Sequence, residues 1–250
     1  MFSDPILEKA SIQHGERQCR LTDNALCRRD RPISLDAARN AKIFDLAAAI
    51  PLVAWFALVI VGSLYRITQM LDAQVDILET CHLFAKVVLF NLLILLVFMR
   101  RSVVRKARGL LPSGAGIVGV LLPSLFLALP PANLSQAMAM FSSATILLGI
   151  ISSIFIACWL GRSFSILPQA RALVTEGPYR IVRHPLYLAE LIVVFGTMWR
   201  FEPPWSFCVM IVAIAAQIPR MHYEEQVLMD AFPGYRHYAA RTARLLPGVY

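Results

Sequence analysis

Charge is scarce in this chain of 250 residues: Asp, Glu, Lys and Arg together make up 16% of it, while 58% is hydrophobic. One soluble core of this size cannot hide that much apolar surface, so a bilayer is the expected solvent. Other absences narrow the chemistry. The five cysteines, Cys19, Cys27, Cys81, Cys158 and Cys208, form no C-x-x-C pair, which argues against a disulfide frame and for reduced thiols or small hydrophobes. No histidine pair has H-x-x-x-H or H-E-x-x-H spacing, so no metal site is expected. No G-x-G-x-x-G follows a strand, which speaks against a soluble dinucleotide fold. Neither the alternation of a β-barrel, nor an internal repeat, nor an apolar stretch of signal-peptide kind near the start is visible.

What the chain does have is apolar runs, at about residues 44–65, 83–99, 116–132, 138–160, 186–199 and 205–218. The first and fourth meet the roughly 20 residues a spanning helix needs, and the second and third lie near its lower limit. The last two are shorter and flank Arg200-Phe201-Glu202-Pro203-Pro204, so residues 186–218 are expected as a short helical hairpin whose second arm opens after Pro204. Backbone polar groups in lipid must be satisfied within each segment, which predicts an all-α, polytopic bundle of about six membrane helices. The expected organisation is an arm over 1–42, with Ser34 as a helix N-cap, four transmembrane helices over 43–160, and a region over 161–250 that carries the chemistry.

The basic residues orient this bundle. Of the 24 Lys and Arg, 21 fall in residues 1–42, 100–115, 161–184 and 219–250. Only Arg66, Lys86 and Arg200 lie elsewhere. The positive-inside rule therefore puts both termini in the cytoplasm. The net charge of +8 reads as grip on anionic lipid at helix ends, including the Arg100–Arg108 loop beside Gly114-Ala115-Gly116, and no nucleic-acid partner is expected.

Polar chemistry is concentrated in Gly177-Pro178-Tyr179-Arg180-Ile181-Val182-Arg183-His184-Pro185-Leu186-Tyr187. Pro185 suits the first turn of a helix, with His184 near its cap. The unpaired N–H groups of that turn, flanked by Arg183, form a place prepared for a carboxylate or phosphate. The plain alternative is a pair of snorkelling arginines and a solvated cap. Further on, Arg220 and Glu224 share a helix face four residues apart, and Glu225 turns toward the neighbouring side. The two adjacent carboxylates repel unless cations or ligand hydroxyls relieve them. Glu190 lies one turn into the fifth helix, where an ionisable group is costly and marks function by default; it is a candidate substrate contact or partner of Arg183. Tyr179, Tyr187, Tyr223, Tyr235 and Tyr238 all fall on the basic side, where an aromatic belt is expected in any case.

In their order, R-H-P-x-Y, then R-x-x-x-E-E, then Phe232-Pro233-Gly234-Tyr235 and a terminal R-x-x-P ending at Pro247, these motifs resemble the isoprenylcysteine carboxyl methyltransferase and phospholipid N-methyltransferase group of integral-membrane enzymes. The resemblance covers roughly residues 160–250. It implies S-adenosylmethionine as cofactor, S-adenosylhomocysteine as product, and a cytosolic cofactor pocket. It implies cofactor contacts from Tyr179, Arg183, His184, Pro185, Leu186, Tyr187 and Glu224, an acceptor contact from Arg220, and Glu225 as the second member of the acidic pair. A carboxylate acceptor of prenylcysteine type would be oriented by Arg220 and need no base. A lipid amine would need one, for which Glu225, His184 and His222 are the candidates. Both acceptors stay open, with a bacterial inner membrane as the expected location and a lipophilic or prenylated small molecule as the expected partner.

The ending Arg244-Leu245-Leu246-Pro247-Gly248-Val249-Tyr250 is also similar to that of membrane sterol reductases, which share R-H-P-x-Y and use NADPH. Those enzymes are longer and favour Asp-Glu at the acidic pair. A membrane scaffold or small transporter without catalysis is the remaining alternative.

Overall fold

The structure is a computed structural model that describes residues 35–71 and 77–248; the arm before residue 35, with the Ser34 cap, lies outside the described residues. The chain divides into two units, residues 1–45 and 46–250. Of the first, the described part is the beginning of helix α1, Leu35–Ala47.

The second unit is helical, as the apolar runs predict. Helices α2 (Ile50–Leu71), α3 (Ile77–Met99), α4 (Leu110–Leu121), α5 (Gln136–Leu160), α6 (Pro185–Met198), α7 (Trp205–Ala231) and α8 (Tyr235–Ala239) follow in order, with a 3₁₀ segment at Leu122–Ala128 continuing α4. Among the described residues, five helical stretches are long and apolar enough to cross a membrane: Lys42–Met70, Ile77–Met99, Leu110–Ala128, Gln136–Ser163 and Trp205–Ala231. Helix α6 is apolar but has only 14 residues. Large apolar side chains such as Phe84, Leu127, Ile151 and Trp205 lie exposed on the bundle's outside, where lipid rather than water is the fitting solvent.

The expected hairpin differs in one respect. Its second arm does not stop near Ile218 but runs on for 27 residues, through Pro219, to Ala231. Pro219 lacks the N–H that would bond to the carbonyl of Ala215, and helices in lipid tolerate that loss where neighbours re-satisfy the freed group. The consequence is that Arg220, Glu224 and Glu225 sit on the same rod as the apolar arm. Gly114-Ala115-Gly116, expected beside the Arg100–Arg108 loop, belongs to α4, which starts at Leu110 rather than at residue 116.

Helices α5 and α6 approach through glycine. A Cβ on Gly149 would stand 2.9 Å from the Val193 nitrogen, and one on Gly196 would stand 2.9 Å from the Ile146 nitrogen. Such close backbones are the usual substitute for hydrophobic drive between helices in lipid. The two ends of the bundle are tied differently. At one end, Ala132 donates to the Arg200 carbonyl and Glu202 to the Pro130 carbonyl. At the other, strands β1 (Arg105–Lys106) and β2 (Gln169–Ala170) pair antiparallel, Arg101 donates its N–H to the Arg162 carbonyl, and Arg171 donates to the Arg101 carbonyl.

The helix Leu110–Ala128 thus separates the β1 loop from the 129–135 turn. In a chain whose own cysteines are replaced, Ser102→Cys and Asn133→Cys are expected to react with a membrane-impermeant thiol reagent from opposite sides. Equal labelling of both in sealed cells would contradict the bundle described above.

Candidate functional site

The functional cluster is assembled where three stretches meet at the β1 end of the bundle. The first is the 177–187 segment. Gly177 takes φ +59°, a left-handed conformation that L side chains rarely adopt, and opens a 3₁₀ turn over Gly177–Arg180. Val182 then bridges in parallel to Ala243, so Arg183 donates its N–H to the Ala243 carbonyl and His184 donates to that of Arg244. Pro185 begins α6, and no side chain caps that start. The second stretch is the far half of α7, and the third is the C-terminal segment, brought back by the turn after Phe232.

Glu225 joins all three. It is 1% exposed. Its Oε1 lies 2.9 Å from Arg183 Nη1 and 3.1 Å from His184 Nε2, and Arg244 donates from Nε to both oxygens at 3.1 Å and from Nη2 to Oε2. A carboxylate taken out of water costs several kcal/mol unless charge and hydrogen bonds replace the lost solvent, and here three basic side chains do so. Glu225 therefore ties the R-H-P segment to the terminal R-x-x-P. It does not face the cleft as an open base, and Arg183 is spent on it rather than left to flank an incoming anion.

Glu224, one residue earlier, faces elsewhere. Its Oε2 accepts a hydrogen bond of 2.9 Å from the Tyr187 hydroxyl and lies 3.7 Å from His184 Nδ1. Arg220 is 5% exposed and stacks its guanidinium over the Tyr187 ring, 4.6 Å from the centroid. Its Nη1 donates to Glu190 Oε2 at 3.2 Å and to Gln217 Oε1 at 2.7 Å, while Gln217 Nε2 donates to Glu190 Oε2 at 3.0 Å. Its ion pair is thus with Glu190 across the α6–α7 contact, not with Glu224 four residues on. Arg220 Nε is buried and has no hydrogen-bond partner. Tyr187, Arg220 and Glu224 line one narrow cleft together with Gly116, Ile166 and Pro168.

The remaining expected residues fall around this core. Tyr179 is not among the cleft-lining residues; it packs with Ile156 and Ala189, and its carbonyl accepts from the Tyr238 hydroxyl at 2.6 Å. Burial raises the phenols of Tyr179 and Tyr238, the latter to about 12, so both are protonated donors at neutral pH. Leu186 packs into the apolar core beside Phe164 and Ala157. His222 is exposed and pairs with Gln226, at 2.9 Å. Glu190, expected as a substrate contact or a partner of Arg183, is the partner of Arg220.

Sequence reading missed Gln217, Gly116 and Gly119. Gln217 is a polar residue inside an apolar run, one turn before Arg220, and that interruption was the available signal. Gly119 on α4 leaves the space Arg220 occupies, since a Cβ there would fall 2.1 Å from Arg220 Cδ. Nothing in sequence ties it to a residue a hundred positions away.

The described residues thus join helices of membrane-spanning length to a buried ionic cluster at one end. Residues 134–234, about two fifths of the chain, match the phospholipid methyltransferase family model. The cobalt-zinc-cadmium resistance protein CzcN of Cupriavidus metallidurans is 37% identical over 76 residues, covering 30% of this chain and 35% of that protein. The nickel-cobalt-cadmium resistance protein NccN of Alcaligenes xylosoxydans xylosoxydans is 31% identical over 80 residues, covering 32% of this chain and 38% of that protein. The similarity thus spans little more than a third of the length of these curated relatives.

Two glycines of one helix separate packing from position. Gly119→Ala is expected to push Arg220 out of its place and to lower stability by about 1–3 kcal/mol, the usual cost of overpacking. Gly114→Ala, where nothing stands within 4 Å of the new methyl, should leave the thermal midpoint unchanged. Equal midpoints for the two variants would mean that Arg220 is not held where described.

Proposed function

We propose that the protein transfers a methyl group from S-adenosylmethionine to a lipophilic acceptor at the cytosolic face of a membrane. The observation that carries this reading is the convergence of Tyr187, Arg220 and Glu224 on one cleft inside a phospholipid methyltransferase domain. The donor set fits such a cofactor. The two short contacts of Glu224 both use Oε2, which leaves Oε1 for ligand hydroxyls. The first-turn N–H groups of Leu186 and Tyr187 precede any carbonyl that α6 could offer them, and suit a carboxylate. Arg220 Nε, buried and unbonded, is a donor in search of an acceptor.

The cofactor supplies a methyl group on a cationic sulfur; the protein's own task is position. Holding donor and acceptor at attack distance can supply roughly 7–11 kcal/mol of the barrier at best. In this reading Arg220 orients the acceptor's head and is itself fixed by Glu190, Gln217 and the Tyr187 ring. Glu225 is a positioning residue, not a base: it keeps His184 and the α6 start in place. An amine acceptor must lose a proton, and Glu224 is the carboxylate that lines the cleft and can take it. A prenylcysteine-type carboxylate needs no base. In either case the acceptor enters from the bilayer, because α4, α6 and α7 wall the cleft. The basic end of the bundle then faces the cytoplasm, with Ser102 shielded from an external reagent.

The variants differ in kind. Arg220→Ala is expected to abolish most turnover while affinity for S-adenosylhomocysteine, read by calorimetry, stays within a few-fold. Glu224→Ala should weaken that affinity by about 1.5–3 kcal/mol, the scale of a lost charge-assisted hydrogen bond, which is at least about tenfold. Saturable binding of NADPH with no response to S-adenosylhomocysteine would favour the reductase reading and sink this one.

A further inference from the structure

The three cations that fall outside the basic side in sequence, Arg66, Lys86 and Arg200, converge in the structure at the end of the bundle away from the Arg220 cleft. Glu79 Oε1 accepts from Arg66 Nη2 at 3.0 Å and from Arg200 Nη1 at 3.2 Å. The rest of Arg200 is committed: Nε donates to Ser142 Oγ at 3.1 Å and Nη2 to Ser143 Oγ at 2.6 Å, while Ser142 donates onward to the Gly196 carbonyl at 2.8 Å. Lys86 lies within electrostatic reach of Arg66, Arg200 and Glu79, and the nearly buried His82 lies within reach of Lys86, Arg66 and Arg200. Lys86 makes no hydrogen bond or ion pair with any described residue.

Three cations face one carboxylate among the described residues, and that carboxylate is already shared by the two arginines. An ammonium inside a spanning helix is costly without a counter-ion. Arg66 is 61% exposed at its side chain and engages Glu79 through Nη2, which leaves further guanidinium donors turned outward. A point-charge ammonium and an open guanidinium on adjacent helices are the donors that a phosphate takes.

We propose that Lys86 and Arg66 form a site for a phosphate-bearing anion, framed by the Glu79–Arg200 pair, at the end of the bundle opposite the methyltransferase cleft. Two sources carry this chemistry, the phosphodiester of an anionic phospholipid in that leaflet and free inorganic phosphate. The full chain, purified in a mild non-ionic detergent, is titrated with dioleoyl phosphatidylglycerol and separately with inorganic phosphate. Binding is read as a saturable rise in thermal midpoint and, for the lipid, as molecules retained in native mass spectrometry. Lys86→Gln and Arg66→Gln are each expected to weaken binding by about tenfold, the scale of one charge-assisted contact, and Lys106→Gln at the other end to leave it unchanged. A response to the lipid alone names a headgroup site; an equal response to inorganic phosphate names a free-anion site. Should Lys86→Gln fail to fold, the exposed Arg66→Gln decides by itself. No saturable response to either probe, or the same response in wild type and in the variants that fold, overturns the proposal.

Discussion

Glu225 must be neutralised where it stands, and much of the site's architecture follows from that requirement. An unpaired buried carboxylate is worth several kcal/mol of destabilisation, so the chain satisfies it with a guanidinium and an imidazole from the 183–184 step and a guanidinium from the C-terminal segment. Those partners come from stretches far apart in sequence, which makes the ion cluster a long-range tie. With it in place, the parallel bridge between Val182 and Ala243 forms, α6 starts at Pro185, and Tyr187 comes under Arg220. The two adjacent glutamates thus divide their labour by direction. Glu225 looks back into the protein and Glu224 looks toward the cleft.

Arg220 shows a second kind of dependence. A buried guanidinium needs acceptors, a flat neighbour and room. Glu190 and Gln217 supply the acceptors, Tyr187 the ring, and the missing side chain of Gly119 the room. Four residues from three helices are therefore needed to fix one cation, and one of its nitrogens is still without a partner. Such an arrangement, rigid on three sides and unsatisfied on the fourth, is suited to binding rather than to stability alone.

The membrane helices were legible because an apolar run of spanning length has few other uses, and the segments of the site were legible because charges crowd at the run ends. Pairings were less so. Adjacent glutamates announce that something must relieve their repulsion, yet only the fold says that Glu225 takes Arg183, His184 and Arg244, or that Glu190 belongs to Arg220. Tyr179 sits beside the motif in sequence but, within the 3₁₀ turn over Gly177–Arg180, packs into the core with Ile156. The hairpin's second arm was bounded at residue 218 because its apolar run ends there, whereas α7 continues through Pro219 to Ala231 as a charged extension of the same helix.

The most direct test of the Glu225 tie is a double-mutant cycle with Glu225→Gln and Arg244→Gln, followed by equilibrium unfolding in detergent. The account predicts that each single change costs about 3–5 kcal/mol, because it strands a buried charge. The pair should then cost about 1–3 kcal/mol less than the sum of the two. Strictly additive effects, or single changes within the few tenths of a kcal/mol typical of an exposed ion pair, would contradict it.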